Sequence, residues 1–95
     1  MDKMKIVIEK KIVETEERFL ETEDGSRWTI NEHLYADLYT LVEDESYPVS
    51  GFGNIGLISY LSGKHLISIQ GGLVGITKQC ADWAKLALKT CGVDY

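Results

Sequence analysis

Ninety-five residues, 44% of them apolar and 26% charged, make one modest domain with room for a single hydrophobic core, and they are too apolar for a disordered chain. The formal net charge of −5 argues against direct binding to nucleic acid or an anionic membrane, both of which need a basic field. That charge is polarised, with thirteen Asp or Glu against six Lys or Arg up to Tyr47 (−7) and two against four from Pro48 onward (+2).

The opening stretch KMKIVIEKKIVET alternates, placing Met4, Ile6, Ile8 and Ile12 on one face of a strand and Lys5, Val7 and Glu9 on the other. RFLETEDGSRWTI follows, with a turn at Asp24-Gly25. A three-residue loop, Glu23 to Gly25, pairs Leu20 with Trp28 and Glu21 with Arg27. Like meets like and acid meets base, so this register is preferred over a two-residue loop.

Asn31 is placed to cap a helix over NEHLYADLYTLVED, where Leu34, Leu38, Leu41 and Val42 form one stripe and Glu32, Asp37, Glu43 and Asp44 face outward or end it. Asp44 and Glu45 sit at the negative end of that helix, which predicts a stop near Val42. From Glu43 to Gly56 no period is evident, and the stretch reads as one long loop bearing Pro48, Tyr47 and Phe52. LISYLSGKHLISIQ then reads as a hairpin turning at Gly63-Lys64, pairing Leu61 with Leu66, Tyr60 with Ile67 and Ile58 with Ile69. Both faces of that hairpin are apolar, so it is expected to be covered on both sides or to lie at an oligomer interface.

Gly71 and Gly72 break the pattern, and Thr77 caps a last helix, closed by Gly92. Its buried side is expected to hold Ile76, Cys80, Trp83, Ala84, Ala87, Leu88 and Cys91, opposite Lys78, Asp82, Lys85 and Lys89. Eleven helical residues separate the two cysteines by roughly 16 Å, too far for a disulfide, so both read as reduced, inert thiols. The fold class is therefore α+β: a small single domain with an antiparallel sheet in the order ββ(β)αββα and two helices packed mainly on one face.

SGFGNIG, from Ser50 to Gly56, carries the Gly-x-Gly-x-x-Gly spacing and over these residues resembles the phosphate loop of NAD-dependent 2-hydroxyacid dehydrogenases. The context does not support the cofactor. The preceding DESYPVS is a poor buried strand, too few residues follow for a crossover helix, and the next acid, Asp82, is far beyond the ribose-binding position. No cofactor is therefore assigned. His33 and Asp37 share a helix face as a possible pair, and His65 and Ser62 flank a turn without an orienting carboxylate. No HExxH or CxxC spacing brings metal ligands together.

The remaining features point to a non-catalytic acidic interaction protein, cytoplasmic by default because no apolar run is long enough to span a bilayer or to form a signal peptide. Glu14, Glu16, Glu17, Glu21, Glu23 and Asp24, with only Arg18 among them, are the expected contact to a protein partner with a basic surface, helped by Tyr47 and Phe52 as aromatic anchors. The lysine row of the last helix complements the acidic hairpin of a second copy, so a homodimer or higher oligomer is expected. The alternative reading is an oligomeric small-ligand or nucleotide binder. Backbone amides of Gly51, Gly53, Gly56, Gly71 and Gly72, with Lys64 and Lys78, would then hold an anion at a subunit interface.

Overall fold

The computed structural model describes residues 4–10 and 16–95, so Ile12 and Glu14 lie outside the described residues. Strands β1 (Met4–Lys10), β2 (Glu16–Thr22) and β3 (Arg27–Thr29) form an antiparallel sheet in that order. Leu20 opposes Trp28 and Glu21 opposes Arg27, the register that a three-residue loop dictates. Gly25 takes the left-handed conformation (φ +88°) which that loop requires and which costs glycine nothing. Asp24 locks the turn, its Oδ1 accepting from the Thr22 hydroxyl and, at 3.1 Å, from the Ser26 N–H.

Helix α1 (Glu32–Glu43) begins where the Asn31 side chain accepts from the Leu34 N–H at 3.0 Å, and it buries Leu34, Leu38 and Leu41 completely. It stops at Glu43, with Asp44 already extended. The segment from Glu43 to Gly56 is not one long loop. It contains β4 (Ser46–Pro48) and a single 3₁₀ turn, Val49–Gly51.

The hairpin expected between Leu57 and Gln70 does not form. Residues Ile55–Gly63 are instead a helix, α2, which buries Leu57, Ile58 and Leu61 on one side. Each such side chain gains roughly 1.5–3 kcal/mol on burial, more than the strand preference of Ile and Tyr, which spans about 1 kcal/mol. Gly63-Lys64 is the end of that helix rather than a hairpin turn. The N–H of Leu66 donates to the Leu61 carbonyl at 3.0 Å and that of His65 to Ser62 at 3.1 Å, a Schellman closure with His65 at φ +60°.

Strand β5 (Ile67–Gln70) then pairs with β6 (Leu73–Ile76), a strand not expected from the sequence, through a two-residue turn in which Gly71 and Gly72 both have positive φ. With β4 they make a second antiparallel sheet in the order β4-β6-β5. The α+β class holds, with three helices and two three-stranded sheets among the described residues in place of two helices on one sheet.

Helix α3 (Lys78–Thr90) matches the expected boundaries: the Thr77 hydroxyl accepts from the Cys80 N–H at 3.1 Å, and Gly92 closes the end at φ +91°. Cys80, Trp83, Ala84, Ala87, Leu88 and Cys91 are buried, and Lys78, Asp82, Lys85 and Lys89 face solvent. The small residues of α3 let it pack closely on α1 and reach β1. One core joins both sheets and all three helices.

Candidate functional site

The solvent face of the first sheet carries Lys5, Val7 and Glu9 on β1, Glu17, Phe19 and Glu21 on β2, and Arg27 on β3. Arg27 bridges the sheet, bonding Glu9 and Glu21 at 2.7 Å each, while Lys5 lies 3.5 Å from Glu21. The Arg27 guanidinium also sits over the Phe19 ring, 5.1 Å from its centre. The Arg27 hydrogen bond holds the Glu21 carboxyl below its ordinary pKa, and the same contacts, Glu9 first, raise that of Arg27. At the turn, the bonds from Thr22 and Ser26 pull Asp24 down to about 2, and Lys64 approaches it at 3.6 Å.

Folding thus engages part of the acidic run internally. Glu21 and Asp24 belong to this lattice, whereas Glu16 and Glu23 are exposed and make no ion pair among the described residues. Glu17 stands directly opposite Glu9, a like-charge pairing that strands ordinarily avoid.

Tyr47 and Phe52 meet edge to face, with ring centres 5.2 Å apart. Phe52 is only 5% exposed and belongs to the core, so its ring faces the protein interior; Tyr47 is half-buried above Gly51, where an added Cβ would come within 2.3 Å of the Tyr47 ring. That close approach, rather than a phosphate, gives Gly51 its local use.

The Gly-x-Gly-x-x-Gly string does lead into a helix, contrary to expectation, and the two amides just before it, those of Gly53 and Asn54, are occupied. Asp37 on α1 does not face outward. It is buried, and its Oδ1 accepts from the Gly53 N–H at 3.0 Å, while its Oδ2 accepts from the Asn54 N–H at 2.9 Å and the Asn54 side-chain amide at 3.0 Å. The carboxylate thus anchors the two residues that lead into α2, ahead of the helix's own first turn. The His33–Asp37 pair does not appear; His33 packs beside Gly53. The signal was legible in retrospect, because Asp37 falls inside the 34, 38, 41 stripe.

The Gly71–Gly72 turn meets the chain just ahead of the glycine string, where the Val49 N–H donates to the Gly72 carbonyl at 2.9 Å. Lys64 is roughly 13 Å along α2 from the glycine loop and leans over Tyr60, and Lys78 lies on α3. Lys78 instead shares an open cleft with the end of α1, where Glu43, Asp44 and Glu45 form one rim and Val42, Ile76 and Ala81 are apolar lining. The last turn of α1 has no basic residue to balance those carboxylates.

Behind the first sheet, Trp28, Tyr60 and Trp83 form a mutual cluster, with ring centres 5.0 to 6.0 Å apart. The buried Trp83 indole N–H has no acceptor among the described residues. Burial pushes the Cys80 thiol up to about 12 and also raises Cys91, against the opposing influence of Arg18. Among the described residues no cluster of three His, Cys, Asp or Glu is arranged to hold a metal ion, and no helix is long and apolar enough to cross a membrane. A scan against protein-family models finds no match, and searches of curated proteins and of solved structures likewise find none.

Proposed function

We propose that this chain is a non-catalytic acidic interaction protein that docks on a basic surface of another macromolecule. The observation that carries the reading is the run Glu43, Asp44, Glu45 at the negative end of α1. Carboxylates there oppose the helix dipole, by typically 0.3–1 kcal/mol each; the last turn has no basic side chain, and Lys78 across the cleft forms no ion pair with them among the described residues. A partner's Lys or Arg supplies that relief, its charged head on the rim and its aliphatic stem over Val42, Ile76 and Ala81.

The hairpin acids add further negative charge, Glu17 on the face that Arg27 bridges, Glu16 at the strand's start on the opposite face and Glu23 in the turn. Tyr47 contributes its partly exposed edge, and Phe52 supports it from beneath. Such a surface sets partner choice and encounter rate more than raw affinity.

The test is calorimetry with a lysine-rich peptide at low and high salt, on the native chain and on two triple variants. These are Glu43→Gln with Asp44→Asn and Glu45→Gln, and Glu16→Gln with Glu17→Gln and Glu23→Gln. Binding that falls with salt and is lost in the first variant supports the α1 rim, and loss in the second supports the hairpin. Equal affinity in all three proteins would sink the proposal.

A further inference from the structure

The two sheets expose four edge strands, and three of them are protected against pairing with another chain. The described part of β1 carries Lys5, Glu9 and Lys10, β3 is three residues long and holds Arg27, and β4 is three residues long and ends at Pro48. Charge, brevity and proline are the usual defences of an edge. β5, Ile-Ser-Ile-Gln, is one residue longer than β3 and β4 and has neither charge nor proline.

The direction of its free main-chain groups follows from the hairpin. A two-residue turn makes Gln70 and Leu73 a hydrogen-bonded pair, so alternation leaves Ile69–Val74 and Ile67–Ile76 as the non-bonded pairs. The N–H and C=O of Ile67 and Ile69 therefore point to the open edge. On the other side, the Val49 N–H bond to Gly72 and the Ile76 N–H bond to Glu45 show the same alternation against β4.

We propose that this edge pairs with β5 of a second copy, antiparallel about a twofold axis at Ser68, to make one continuous six-stranded sheet. In that register Ile67 of each copy bonds Ile69 of the other through both N–H and C=O, so all four outward donors and all four outward acceptors are used. The strand is complementary to itself without any shift. Ser68 faces its own symmetry mate in a non-bonded pair, where Cα atoms approach to about 4.5 Å and side chains meet closely. Ile69, 47% exposed in the single chain, gains a neighbour on the inner face.

Charge selects a second copy as the occupant. From Ser46 to Thr77 the only Lys, Arg, Asp or Glu is Lys64, so in a chain of net charge −5 the strands β5 and β6 bring no carboxylate of their own to this edge, and Glu45, bonded to Ile76, lies on the side of β6 away from β5. Three of the exposed large apolar residues, Ile55, Ile69 and Leu73, fall in this segment, while Ile8 and Tyr95 lie elsewhere. The inference is independent of which partner the acidic surfaces take, because it uses neither.

Sedimentation velocity from micromolar to millimolar protein tests it, with circular dichroism confirming that each variant is folded. The native chain is expected to dimerise. Ile69→Pro removes an outward N–H while leaving the β5–β6 ladder bonds intact, and it should give a monomer; Ile69→Val should still dimerise. Ser68→Lys and Ser68→Glu place like charges on the axis and should each dimerise roughly fivefold more weakly, whereas an equal mixture of the two should recover a heterodimer. A native chain that stays monomeric at millimolar concentration, even if it takes up an extended peptide on that edge, overturns the proposal. So does a dimer indifferent to Ile69→Pro and to the Ser68 charges.

Discussion

Asn54 meets Asp37 twice, donating both its main-chain N–H and its side-chain amide to the same carboxylate oxygen, at 2.9 and 3.0 Å. With Gly53 on the other oxygen, one buried side chain of α1 fixes the entrance of α2. The helix–helix geometry of this region therefore depends on a single charge.

Asp37→Ala should be among the most damaging single substitutions in the chain. It strands the Gly53 and Asn54 donors, and hydrogen bonds to a charged group contribute about 1.5–3 kcal/mol each, so a loss of roughly 3 kcal/mol is expected. Urea denaturation checks this through the midpoint. A loss below about 1 kcal/mol would mean that water replaces the carboxylate without cost.

His65 closes α2 in the left-handed region that Gly92 occupies at the end of α3. A side chain in that conformation carries a penalty of roughly 1 kcal/mol that glycine does not, partly offset by glycine's freer unfolded chain. His65→Gly should therefore stabilise the protein by a few tenths to about 1 kcal/mol, seen as a higher melting temperature. Gly92→Ala should do the opposite.

Asp24 titrates at about 2 in the folded chain against 3.8 for the free group, and Glu21 is shifted the same way. A depressed folded pKa means that the unfolded chain takes up the proton first, so the contribution is whole above pH 3.8 and fades as pH falls toward about 2. Melting temperature measured across that window should drop on acidification, and the drop should be shallower in Asp24→Asn. An unchanged slope in the variant would show that the turn's hydrogen bonds do not depend on the charge.

Neither cysteine should react with an aromatic disulfide reagent in the native state at mildly alkaline pH, since thiolate is scarce when burial raises the pKa. Cys91, at the fraying end of α3 and under the influence of Arg18, should be labelled before Cys80. Labelling of Cys80 should track global unfolding in urea. Fast modification of Cys80 in buffer would contradict its burial.

Local chemistry made the first hairpin and both long helices legible in the sequence. Leu20 against Trp28 and Glu21 against Arg27 are pairings that only one register satisfies, and Asn31 and Thr77 announce their helices before the apolar stripes begin. The middle of the chain was harder for a physical reason. In LISYLSGK the buried set 57, 58 and 61 fits a helix, but Ile and Tyr favour strands and Gly63 imitates a turn. What decides is the surface the segment packs against, which no local window contains. Asp37 was misplaced for a related reason: a carboxylate was assumed to seek water, whereas this one found three donors in a loop sixteen and seventeen positions away.

Trp83 on α3 touches Trp28 on β3, and Leu88 and Ala87 complete the same core as Leu20. The hydrophobic centre is thus assembled from both ends of the chain, with the second sheet inserted between them. On the ribosome, the first sheet and α1 must wait with their apolar faces open until α3 has left the exit tunnel. Synthesis proceeds at about 5–20 residues per second, so that wait is several seconds, during which the nascent chain is most open to aggregation.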